Sequence, residues 1–269
     1  MTHTVYVWSF LFVFVAAFVN VGRAVKINRL KVPQIIKHGS EAILDCDFSI
    51  DESDSDLVVK WYFNKTLVYQ WIPSTKMRPQ GLGILKDRLN LEYQASVDVN
   101  SIHRALHILK AGPDLSGNYT CSVSTLEGED IRTKSMLVLV SEKFFELKRV
   151  RADDGYIKVQ CLADGVFPKP VMSLHSQERE ITEAVVTSRQ IGHLYEISAI
   201  ATLPALEKPE EFSCKLHIPQ ANYTTRRETV FYPGNGAVTE SSARWLTISL
   251  CSFSLYAGLR ATYLGGGAF

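Results

Sequence analysis

From Val25 onward the chain alternates apolar and polar residues over short runs, with proline and glycine marking the ends of many of them. Val25 and Ile27, then Leu30 and Val32, occupy alternate positions until Pro33, which is tolerated only at an edge or a bulge. The first strand is therefore expected to break there and switch sheets. Ala42, Leu44 and Cys46 share one face of a second run; Leu57, Val59, Trp61 and Phe63 share one face of a third. Further runs cover Leu67 to Ile72, Arg88 to Leu91, Arg104 to Leu109 and Thr133 to Val140, about nine strands with the flanks. Only Ser141 and Glu142 precede a second alternating series, opened by Phe144 to Leu147 and continued by Val159 and Cys161, Val171 to His175, and Phe212 to Cys214. So short a connection predicts a stiff junction between two units. A period of two throughout predicts an all-β chain.

The two ends depart from this pattern. Val5 to Phe18 is almost wholly apolar and is followed by Asn20, Gly22 and Ala24, the order of a secretory signal peptide cut near Ala24. His3 is the only basic residue before it, and the alternative of an uncleaved helix is opposed by a run shorter than the roughly 20 residues a span needs. Beyond Pro233 come the small residues Gly234 to Ala237, a polar spacer and an apolar tail from Trp245 to Leu259. That succession matches a lipid-attachment signal, here with Asn235 as the acceptor. A short membrane span and a plain secreted tail stay open as alternatives, and Arg260 departs from an ideal signal.

A net charge of +1 over 269 residues gives no reason to expect a nucleic-acid partner. Of five cysteines, Cys46, Cys121, Cys161 and Cys214 form two widely spaced pairs, unlike the close spacing of a zinc site, and disulfides would need an oxidising compartment. The acidic run Asp51 to Asp56 lacks the glycine and distant glutamate of a calcium loop and reads as a solvated connection. No paired nucleophile and base, metal cluster or phosphate-binding glycine loop stands out, so neither an enzyme nor a cofactor or metal is expected.

The most informative stretch is Asp114-Leu-Ser-Gly-Asn-Tyr-Thr-Cys121, a turn feeding a strand with Tyr119 and Cys121 on one face. With Cys46 and Trp61 upstream it has the Cys, Trp, Tyr-x-Cys order of an immunoglobulin domain. The chain thus resembles the immunoglobulin superfamily. The resemblance implies two tandem β-sandwiches, with a variable-type domain over 25–141 and a constant-like one over 142–233, between a signal peptide at 1–24 and an anchor signal at 234–269. It implies the bonds Cys46–Cys121 and Cys161–Cys214, Trp61 and Tyr119 in the first core, and an ion pair between Arg88 and Asp114. In the second unit Leu174 stands where a tryptophan is usual, and Phe212 replaces the corner tyrosine. At a finer level Val59 to Phe63, Tyr69 to Pro73 and Cys161 with Phe167-Pro168 are similar to the insect beaten-path family of neuronal recognition proteins.

The resemblance implies a cell-surface recognition protein whose partner is another immunoglobulin-superfamily protein, with a secreted or shed binder in immune recognition as the alternative. The expected contact surface is the sheet holding the C, C′, F and G strands of that fold. Lys60 and Tyr62 point out because Trp61 points in. Tyr69 and Trp71 share a face of the next strand; alternation fits either face, and the outward one is expected here, giving an aromatic patch. Asn64, Asn118 and Asn222 begin glycosylation sequons, and Asn118 must face out between two inward neighbours.

Overall fold

The computed structural model describes residues 25–51, 55–152, 155–204 and 206–233; the expected signal peptide, the middle of the acidic run, Cys251, the tail and its Asn235 lie outside them. Within the described residues the chain is all-β, in two sandwiches each closed by one disulfide. No described helix is long and apolar enough to cross a membrane.

The first sandwich contains β1 (Val25–Lys31), β2 (Ile35–Lys37), β3 (Ala42–Ile50), β4 (Val58–Phe63), β5 (Thr66–Trp71), β6 (Gln80–Gly81), β7 (Leu106–Ile108), β8 (Gly117–Ser124) and β9 (Glu129–Leu139). One sheet has the order β1-β3-β7 and the other β2-β9-β8-β4-β5-β6. The chain changes sheets at Pro33, where the missing N–H cannot continue the ladder: β1 pairs with β3, while β2 runs parallel to β9. Inward positions of β3, β4 and β8 supply Leu44, Cys46, Val59, Trp61, Tyr119 and Cys121, all fully buried.

Two expected strands differ. Arg88 to Leu91 forms no ladder with β7 beyond an isolated bridge at Leu89, because Asn90 accepts the backbone N–H of Glu92 (3.1 Å) and turns the chain away. Correspondingly β7 spans only Leu106–Ile108, with the preceding residues in turns. The final strand starts earlier than expected, at Glu129.

The second sandwich has β10 (Phe144–Arg151), β11 (Tyr156–Val166), β12 (Val171–Ser176), β13 (Arg179–Glu180), β14 (Val185–Ile191), β15 (Leu194–Pro204), β16 (Glu210–Ile218) and β17 (Tyr223–Phe231). Its sheets are β10-β11-β15-β14 and β13-β12-β16-β17. Leu174 lies opposite Cys214 and is fully buried with Phe212, so aliphatic and phenyl groups fill the space around this disulfide. At the junction the backbone of Val140 exchanges two hydrogen bonds with Phe167 (2.9 and 3.0 Å), and Lys143 donates to the Asp164 carbonyl (2.9 Å).

Candidate partner-binding face

Because Val59, Trp61 and Phe63 are buried, the alternation of β4 leaves Val58, Lys60 and Tyr62 on the outer face of the six-stranded sheet. Register then builds that face row by row. Val58 lies opposite Ser124, Lys60 opposite Ser122 and Gln70, and Tyr62 opposite Thr120 and Leu67. On β9, Glu129, Ile131 and Thr133 continue these rows beside Ser124, Ser122 and Thr120. The hydroxyls of Thr120 and Thr133 meet at 2.8 Å, and Ser122 donates to the Glu129 carboxylate at 2.6 Å. The surface is thus mostly hydroxyls and amides around Tyr62, with Lys60 and Glu129 as the charges on these rows.

Tyr69 and Trp71 are not part of it. Tyr69 stands opposite Trp61 and Trp71 opposite Val59, and side chains of directly paired residues share a face, so both point into the core at 2 % and 4 % exposure. The register slips between Trp61 and Tyr62, which leaves Val68 as an extra residue on β5. Val68 and Tyr69 are consequently both buried, and Leu67 and Gln70 face out. The aromatic tips have partners inside: the Tyr69 hydroxyl donates to the His103 carbonyl (2.6 Å), and His103 meets the Trp71 ring edge-on at 5.5 Å between centroids. Burial raises the Tyr69 pKa well above its ordinary value.

One apolar residue absent from the expected face belongs to it, and a second lies in the turn at its end. Ile131 is 53 % exposed on β9, and Leu126, at 73 %, projects from the turn between β8 and β9. Ile131 was legible by parity, since Met136 and Val138 are the buried residues of that strand and Ile131 is out of phase with them. No signal marked Leu126.

The remaining site residues lie in the framework. Cys46 is bonded to Cys121 and Cys161 to Cys214. Trp61 donates its indole N–H to the Arg104 carbonyl (3.1 Å), and Tyr119 its hydroxyl to the Leu115 carbonyl (2.9 Å), four residues upstream. Burial first, and then the Asp114 carboxylate, raise the Tyr119 pKa. Arg88 and Asp114 are paired at 2.5 Å. A further ion cluster, invisible to local pattern because its members are far apart in sequence, joins Arg104 to Asp45 (2.9 Å) and to Asp47 on the opposite sheet. On that sheet too, His107 sits 3.0 Å from the Glu41 carboxylate. Asn64, Asn118 and Asn222 are all exposed.

The family model of the CD47 immunoglobulin-like domain matches residues 13–149, just over half of the chain. No curated protein matches. Among solved structures, bovine butyrophilin is similar with a TM-score of 0.61 at 16% identity, over 74% of this chain and 94% of that one. A chain from the complex of ICOS with ICOS-L and an anti-ICOS-L VNAR domain gives 0.51 at 14%, over 73% and 99%. The ectodomain of mouse nectin-like molecule 4 gives 0.52 at 14%, over 75% and 66%. At these identities the structural likeness speaks for the fold, and the family match speaks for kinship: the chain belongs to the CD47 immunoglobulin-like domain family, a non-enzymatic family of extracellular recognition domains, and carries a second immunoglobulin-like domain after the first.

Proposed function

We propose that this protein is a cell-surface recognition molecule that binds another immunoglobulin-superfamily protein through the outer face of β9, β8, β4 and β5. The observation that carries this reading is the contrast between the two outer faces of the first sandwich. On the β1-β3-β7 side the charged groups Arg104, Asp45 and Asp47 satisfy one another. On the other side Tyr62 and Ile131 stand among short hydroxyl side chains, with Leu126 in the turn at the end, a surface with few charges to desolvate and one aromatic anchor on β4. The complex of ICOS with ICOS-L is a case of protein partnership on a related fold.

The resemblance to the beaten-path family supports neuronal recognition as the setting. The apolar tail supports attachment by a lipid at Asn235, and release of the protein from cells by a phosphatidylinositol-specific phospholipase tests that part. We place the domain limits at 25–141 and 142–233, meeting between Ser141 and Glu142.

The decisive experiment displays the full chain on cells and probes it with clustered extracellular immunoglobulin proteins, since clustering raises a weak affinity into range. Tyr62→Ala is expected to weaken the binding found by about 2 kcal/mol or more, roughly thirtyfold. His107→Ala, on the other sheet, is expected to leave it unchanged. Normal binding by Tyr62→Ala together with loss in His107→Ala would assign recognition to the opposite face.

A further inference from the structure

Two of the three sequons meet at one end of this face. Asn64 and Lys65, with φ of 46° and 72°, make the two-residue turn from β4 to β5, and Asn118 is the second residue of β8 beside it. The backbone N–H of Asn64 donates to the Asn118 carbonyl (2.9 Å), and the Asn118 N–H donates to the Asn64 side-chain Oδ1 (2.9 Å). The Asn64 carboxamide is pressed against Gly117: a Cβ there would stand 2.6 Å from Oδ1 and 2.7 Å from Nδ2. Asn64 is therefore a clamp between the turn and β8, its carboxamide lying over Gly117 with Oδ1 engaged by the Asn118 N–H.

Asn118 is the opposite case. It is exposed, its side chain makes no hydrogen bond among the described residues, and it stands on the outer side of β8 in line with Thr120 and Ser122. Its cross-strand neighbour on β9 is Ser135, and Tyr62 is its diagonal neighbour on β4, about 7–8 Å away.

We propose that Asn118 carries an N-linked glycan that stands as a fence across this end of the sheet, while Asn64 stays unmodified. The rows of Tyr62, Lys60 and Val58 remain open, and a docking protein is confined to them and to the Leu126 end. The sugar thereby fixes which way round a partner lies on the face. This consequence rests on the face being the contact surface; the fence itself does not.

The test uses the full chain expressed in animal cells with Ser135→Cys, beside the proposed sugar, or Glu129→Cys, at the far end of β9. Glycopeptide mapping is expected to find sugar on Asn118 and none on Asn64. A long polyethylene-glycol maleimide, scored at the peptide, is expected to react with the thiol introduced at position 135 several-fold faster once Asn118→Gln removes the sugar. Small N-ethylmaleimide at position 135, and either reagent at position 129, should be unaffected. Enzymatic deglycosylation of the folded protein replaces Asn118→Gln if that variant is not exported. A bare Asn118, a sugar on Asn64, or an unchanged long-reagent rate at position 135 each overturns the proposal. None of these measurements needs a partner, so their failure would leave the Tyr62 binding test standing, and the reverse.

Discussion

Each sandwich has its own disulfide joining its two sheets and a two-residue turn with positive φ after the strand that faces it, Asn64-Lys65 in the first and Gln177-Glu178 in the second. They differ in how they hold the segment that passes from one sheet to the other. In the second domain β14 pairs with β15 along its whole length, so backbone meets backbone. In the first domain the stretch before β7 has no such ladder, and side chains reach out from the core to hold it. Tyr69 binds the carbonyl of His103 and Trp61 that of Arg104, while the Arg104 guanidinium grips Asp45 and Asp47. A carbonyl near a core needs a donor, and where strand pairing does not supply it a polar-tipped aromatic can. Trp61 and Tyr69 thus have two functions, volume and tether; Leu174 and Phe212 have only the first.

The largest effect that would sharpen this comparison is loss of a disulfide. Replacing either cysteine pair by alanine is expected to cost about 2–5 kcal/mol, and the longer first loop adds only about 0.3 kcal/mol on a chain-entropy account. Calorimetry should show each replacement lowering one transition; equal displacement of both would mean that the domains unfold together. Next in size is Trp61→Leu, which makes the first domain imitate the second. If the indole is also a tether, the cost is about 3 kcal/mol, read by denaturant unfolding. A cost under about 1 kcal/mol would make the two cores interchangeable.

Tyr119→Phe imitates Phe212 and leaves the Leu115 carbonyl without its donor, for a loss of about 1–2 kcal/mol. The same hydroxyl gives a pH signature. Folding raises the pKa of Tyr119 and Tyr69, so the stability linked to them is complete below the unfolded value of about 10 and is lost as pH rises towards the higher folded values. The first domain's melting temperature should fall in that range, and by less in Tyr119→Phe. The smallest effect is that of Asp114→Ala. Arg88 is 41% exposed in the pair, so screening limits the loss to below about 1 kcal/mol. The melting temperature of Asp114→Ala against the unchanged chain is the measurement, and no shift at all would remove the pair from the stability of the first domain.

What could be read from the sequence was whatever depends on short, strict spacing. Tyr119 two residues before Cys121 specifies a face and a turn together, and Pro33 marks the sheet switch by what it lacks. The side on which Tyr69 and Trp71 lie was not readable, because both choices obey alternation and only the slip in register at Val68 decides between them. The missing strand at Arg88 to Leu91 has a similar origin: its alternation is real, but Asn90 offers the backbone a competing local hydrogen bond. Ile131 was overlooked for another reason, since a strand begun at Thr133 leaves it in a loop. Extending β9 back to Glu129 returns Ile131 to the face where its parity puts it.

That strand also settles how the molecule would bear a pull. β9 runs without interruption from Ile131, on the proposed contact face, to Leu139, and the next residue, Val140, is fastened to Phe167 of the second domain. Tension applied where a partner holds the face would run along one straight segment into the junction. There β2 lies parallel to β9, with Leu137 donating to Gln34 (2.9 Å) and His38 donating to Leu139 (2.8 Å). If instead the rest of the first domain were held and β9 drawn along its length, these bonds would be loaded together and not one at a time, so the short strand beyond Pro33 would resist that shear.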